Sequence, residues 1–152
     1  MAEVFVNALA KGAGIVTTSP SATIGVTTTI ITGISTVNLN VGDLVSNQHF
    51  RGHTKVSSIG AGTATVDKAS TNATSASSQN VRFLGKTAAY TSPASTKSIL
   101  IGGTFSNLTN NNVNITVEIV TGVTSTTIAN NIPVPSGSSF VITDAGKTVM
   151  AG

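Results

Sequence analysis

The chain has no cysteine and no tryptophan, a single tyrosine, and charge on only 9% of its residues. Each absence excludes something. Without cysteine there are no disulfides, no thiolate metal sites and no cysteine nucleophile; this fits synthesis in a reducing cytoplasm. Charge is scarce, with eight basic residues against five acidic ones for a net +3. The basic residues Lys11, Arg51, Lys55, Lys68, Arg82, Lys86, Lys97 and Lys147 are scattered, whereas nucleic-acid binders cluster theirs on one face. No nucleic acid is expected as a partner. No apolar run is long enough to span a bilayer, and Met1-Ala2-Glu3-Val4 has neither the basic nor the apolar region of a signal peptide. No membrane partner is expected, and the protein is expected to be made in the cytoplasm. Acids and histidines are too few and too dispersed for a catalytic constellation, so a non-enzymatic protein without cofactor or metal is expected.

What is abundant is uncharged and β-forming. Ser, Thr and Asn make up more than a third of the chain. Threonines alternate with Val and Ile in runs such as Val26–Thr32 and Val113–Val120. β-branched residues fit a pleated, half-buried surface, and uncharged polar residues coat an outer face without repulsion. Helical periodicity is nearly missing. Val6–Lys11 is too short, and Ala69–Ser77 is studded with Ser, Thr and Asn, which disfavour helix interiors; it reads as a loop. Short strands between turn residues mark an all-β sandwich or barrel.

The pattern predicts strands at Val4–Leu9, Gly25–Thr32, Val37–Val41, Thr54–Ile59, Ala64–Lys68 and Val81–Leu84. A turn falls at Ser19-Pro20-Ser21, another at Gly42-Asp43 before Leu44-Val45, and a hairpin at Gly60-Ala61-Gly62. Further strands are predicted at Ala88–Thr91, Lys97–Thr104, Val113–Val120, Ser125–Ile132, Ser138–Thr143 and Lys147–Met150. Hairpins fall at Thr121-Gly122-Val123 and Asp144-Ala145-Gly146. Pro133 and Pro135 cannot donate to a ladder, so they belong at an edge or strand end. Two modules follow: residues 15–86 as a small barrel-like unit, and residues 1–14 with 87–152 as a β-sandwich with the more apolar core. Phe5 is expected to pack in that sandwich against Ile99 or Ile101.

Candidate sites are sparse. His49 and His53 lie close together, but a metal needs a third ligand and nothing fixes one; the plain reading is a solvated loop. Phe50 and Arg51 are better read as a contact tip, because aromatics and Arg dominate interface hot spots. With Phe5, Pro133 and Pro135 they are the candidate interface residues. Gly146-Lys147-Thr148 lacks the upstream Gly of a phosphate-binding loop, since Val141 stands there. Asn72, Asn107 and Asn114 begin glycosylation-type triplets that an Asn- and Thr-rich chain produces by chance. No nucleophile-elbow pattern occurs.

Four segments carry a resemblance: Met1–Ala8, Tyr90-Thr91-Ser92-Pro93-Ala94-Ser95, Ile99–Asn107 and Asn131–Ser139. The start and second half resemble a family of small virion structural proteins of tailed phages, especially marine and cyanobacterial ones. The middle, with Val26–Thr36, Val41–Val45 and Ile59–Thr63, is similar to a separate β module of phage fibres and virion proteins. The resemblance implies that residues 15–86 are inserted into the first loop of a sandwich. It also implies a further strand after Lys147–Gly152, so that the sandwich is incomplete or completed by a neighbour. The function it implies is that of a capsid decoration or cement protein on the virion exterior, bound to the major capsid protein. A neck or tail fibre or adaptor component is the first alternative, and a carbohydrate-binding host-adhesion module the second. Sparse charge on open sheet edges further predicts a homo-oligomer, a trimer being favoured, or strand pairing to another virion protein.

Overall fold

The computed structural model describes residues 12–100, 102–142 and 148–151. The expected strand Val4–Leu9, Phe5, Ile101 and the Asp144-Ala145-Gly146 turn lie outside them. Among the described residues the chain is all-β and antiparallel, without a helix. Twelve strands follow in order: β1 (Ile15–Ile24), β2 (Ile30–Thr32), β3 (Leu44–Ser46), β4 (Val56–Gly60), β5 (Thr63–Val66), β6 (Ala76–Leu84), β7 (Lys97–Leu100), β8 (Gly103–Ser106), β9 (Val113–Thr121), β10 (Thr124–Val134), β11 (Ser139–Ile142) and β12 (Thr148–Ala151).

The first six form one sheet in the order β3-β6-β1-β2-β5-β4. Its two edge strands also meet. Leu44 bridges Lys55, Val45 N donates to Thr54 O at 2.8 Å, and Val56 N donates to Asp43 O at 2.9 Å. The sheet thus closes on itself, which removes open edges. Alternation along the strands points one set of side chains inward: Ala64 and Val66 on β5, Val81 and Phe83 on β6, Ile24 and Ala22 on β1. Ile31, Ile34, Leu39, Val45, Phe50 and Val56 complete the cluster.

Three corrections follow here. Ser19-Pro20-Ser21 is not a turn but lies inside β1, where the ladder to β6 slips between Ser19 and Ala22. Pro20 has no N–H to give, and the irregularity spares it the need. Gly25–Thr32 is strand only over β2, because Val26 and Thr27 turn, with Thr27 at φ 43°. Val37–Val41 alternates in sequence yet forms no strand. Leu39 N donates to Thr36 O, Asn38 takes φ 62°, and Asp43 Oδ2 accepts from Asn40 N at 2.8 Å. Only Leu39 of the three apolar residues is buried, while Val37 and Val41 are exposed.

Among the described residues the second half forms two-stranded ribbons: β9 with β10, β8 with β11, and β7 with β12. β7 and β8 lie in line, opposite β12 and β11 in line. The expected single strand Lys97–Thr104 is broken at Gly102, where a Cβ would stand 2.9 Å from Ile142 O. β12 also runs beside β9. Ala88–Thr91 is not a strand. Tyr90 and Ser92 instead reach Ser98 through their hydroxyls, at 3.2 Å and 2.8 Å, and Thr96 N closes a turn on Pro93 O. The expectation of a more apolar core in this half is also not met among the described residues. All twelve residues of the core cluster belong to the barrel, and the buried apolar residues of the second half, among those described, are Ile119 and Val134. A two-stranded ribbon on its own buries little.

Candidate functional site

Of the proposed contact pair, Phe50 faces inward. It is 2% exposed and belongs to the barrel core. The turn after β3 folds it back: Phe50 N donates to Asn47 O at 3.1 Å and His49 N to Asn47 Oδ1 at 2.9 Å. A contact tip at Phe50 is therefore ruled out by burial. Arg51 beside it is exposed, as are Pro133 and Pro135. Pro133 lies within β10 opposite Asn114, and Pro135 just beyond its end. Among the described residues β10 pairs only with β9, so Pro133 lies on an edge strand and Pro135 at a strand end. The histidines do not converge on a ligand set; among the described residues no three His, Cys, Asp or Glu side chains group as metal ligands. His53, at φ 60°, instead places its ring Nε2 3.3 Å from Asn114 Oδ1.

The most exposed feature is the β9–β10 hairpin. It turns at Gly122, φ 58°, and Val123, between the paired residues Thr121 and Thr124. Its basal half is tied down. Lys86 Nζ meets Glu118 Oε2 at 2.5 Å, and Ser125 Oγ donates to the same oxygen at 2.8 Å. The Lys86 bond, and then that from Ser125, hold the Glu118 carboxyl below its usual range. Farther along β10, the ladder slips twice, between Thr127 and Ala129 and between Ala129 and Ile132. Polar side chains fill these bulges: Asn114 Nδ2 donates to Asn131 Oδ1 at 2.8 Å, and Thr116 Oγ1 accepts from Asn131 N at 3.1 Å. Beyond Ile119 every residue from Val120 to Ile128 is exposed, and Val123 fully so. The run from Ile119 to Thr143 contains no charged residue. The barrel segment, residues 15–86, has five basic residues against two acidic ones and so holds the whole net charge of +3.

A second feature lies at the corner between β8 and β9, and Asn107 builds it. Its buried amide donates to Asn111 O at 2.8 Å and Val134 O at 2.9 Å. Its Oδ1 accepts from Thr109 N and Thr109 Oγ1. The turn after β10 closes on the same corner through Gly137 N to Asn107 O and Ser136 Oγ to Thr109 O. Asn107 and Asn72, both buried, are thus structural amides, Asn72 donating to Ile24 O and Thr74 O. Next to the corner is a cleft of about 410 Å³ between barrel and loop, lined by Ser46, Asn47, Gln79, Asn80, Arg82 and Leu108, among others. Its chemistry is amide, hydroxyl and one guanidinium.

No known protein family matches the sequence, and neither a curated protein nor a solved structure matches the chain. What the sequence reading missed is the exposed hairpin arm and the cleft. The arm left a signal, the uncharged stretch Ile119–Thr143. The cleft left none, because its lining comes from three separated segments.

Proposed function

We propose that the chain is a non-enzymatic structural protein of a bacteriophage virion, a capsid decoration or cement protein that works by surface association. The observation that carries this is the uncharged run Ile119–Thr143, above all its exposed arm Val120–Ile128. An exposed apolar and hydroxyl-rich β surface marks an association site. The closed barrel adds a rigid body with its own core. The two resembling segments Ile99–Asn107 and Asn131–Ser139 meet at the Asn107 corner, through Asn107 N to Ser138 O at 2.9 Å and Ser106 Oγ to Ser139 Oγ at 2.8 Å. The partner in this reading is the major capsid protein; a neck or tail location is the variant of the same reading. Quantitative mass spectrometry of purified particles tests it. Hundreds of copies per particle support decoration, a dozen or fewer support a neck or tail role, and absence from particles overturns both.

The polar cleft favours a second reading, a glycan-binding adhesion module. Its amides and Arg82 suit hydroxyls and acidic groups of sugars. Against it, no aromatic residue lines the cleft. Glycan-array binding that is lost in Arg82→Ala would favour this reading over the first.

A further inference from the structure

Resting on the glycan reading above, we infer that the cleft beside the Asn107 corner is a site for a carboxylate-bearing sugar, with Arg82 holding the carboxylate and Ser46 a neighbouring oxygen. Strand pairing sets these two side by side. Arg82 stands in β6 between Thr18 of β1 and Ser46 of β3. Val81 and Phe83 on either side of it are fully buried in the barrel, and Val45 is buried beside Ser46. By alternation Arg82 and Ser46 point the other way, and both line the cleft. Both also lack partners. Among the described residues the one ion pair is Lys86–Glu118, and no acidic side chain lines the cleft. Ser46 is only 9% exposed, yet its hydroxyl has no hydrogen-bond partner among the described residues. An unpaired buried hydroxyl costs free energy that a ligand oxygen in the cleft recovers. The walls are preformed. Leu108–Asn110 is pinned through Asn107, whose Oδ1 accepts from Thr109 N and Thr109 Oγ1. On the barrel side Asn47 Nδ2 donates to Asn80 O at 3.0 Å. Walls already in place lower the ordering cost of binding. The lining selects the ligand. One guanidinium balances one negative charge, and its fork binds a carboxylate through two parallel hydrogen bonds. The rest is amide and hydroxyl, with Leu108 the one apolar side chain. Such a lining has no apolar anchor for a peptide or a lipid and suits the hydroxyls of a sugar. Its volume of about 410 Å³ falls among small-molecule sites. With no aromatic ring to stack on, affinity rests on the charged hydrogen bonds and is about millimolar.

The test titrates the full chain with a hexuronate disaccharide, the matching neutral hexose disaccharide and an acidic dipeptide, following backbone amide shifts by NMR. The inference expects shifts at Ser46, Arg82 and Leu108 with the acidic sugar, and binding of the neutral one weaker by about tenfold or more. Arg82→Gln should lower affinity for the acidic sugar by about tenfold or more, Arg82→Lys should retain part of it, and Ser46→Ala should lower it severalfold. Arg51→Gln, at an exposed cation outside the cleft, should leave it unchanged. Should Arg82→Gln fail to fold, the ratio of acidic to neutral sugar and the Ser46→Ala titration decide alone. Equal affinity for the neutral sugar, or an acidic-sugar affinity unmoved by these substitutions, would overturn the carboxylate assignment and leave the glycan reading standing. Tighter binding of the acidic dipeptide, or no shift with either sugar up to about 10 mM, would overturn both.

Discussion

Phe50 and Arg51 are neighbours in sequence with opposite fates, and that contrast sets the residue scale. A lone aromatic between polar residues has no period from which to read its direction. Only the Asn47 turn, with its side-chain bond to His49 N, sends Phe50 inward. Phe50→Ala should cost about 3–5 kcal/mol in urea unfolding, while Arg51→Ala should stay within about 0.5 kcal/mol of wild type. Equal small effects would contradict the placement. Asn107 makes the converse point. It looks like one more polar loop residue and a chance glycosylation triplet, yet all its side-chain hydrogen-bonding capacity toward the corner is used. Asn107→Ala leaves the buried Val134 carbonyl without its donor, and the expected loss is about 1–3 kcal/mol by the same measurement.

At the scale of elements, the hairpins were legible because glycine marks them. Gly62 and Gly122 take φ 64° and 58° at the turn positions where the chain reverses, a conformation with little cost for glycine. β5 and the inward-facing end of β6, Val81–Leu84, were legible for the same local reason, while the start of β6 at Ala76–Asn80 was not, because Ala76 and Ser77 read as part of a loop. β1 was not, because Ser19-Pro20-Ser21 has the composition of a turn while the bulge in the β1–β6 ladder is a tertiary matter. Val37–Val41 failed the other way. Its alternation is genuine, but Asp43 caps Asn40 N and bends the backbone out of the sheet. The Lys86–Glu118 pair ties the segment after β6 to β9. Glu118 is held below its usual range by Lys86 and Ser125. Its contribution is therefore present above the unfolded carboxylate value, about 4.3, and is lost as pH falls through the lowered folded value. Lys86 is largely exposed, so the effect is small and screened by salt. Glu118→Gln should flatten this part of the acid-side loss of stability when urea midpoints at neutral and acid pH are compared. An unchanged pH slope would contradict the tie.

For the whole molecule, the apolar pattern pointed to the second half as the unit with the more apolar core, and the core cluster lies in the barrel instead. Among the described residues the more apolar-looking second half carries little core, and residues 15–86 carry the closed, well-packed one. Hydrophobic pattern reports which side chains can be buried. It does not report whether a third layer exists to bury them. Among the described residues the second half's apolar side chains are mostly half-buried or exposed, which is why association is central to the account. Sedimentation velocity of the purified protein, alone and mixed with DNA-free capsids, tests that claim most directly. The account predicts an oligomer that moves into the capsid fraction; a stable monomer that stays behind in the presence of capsids would contradict it.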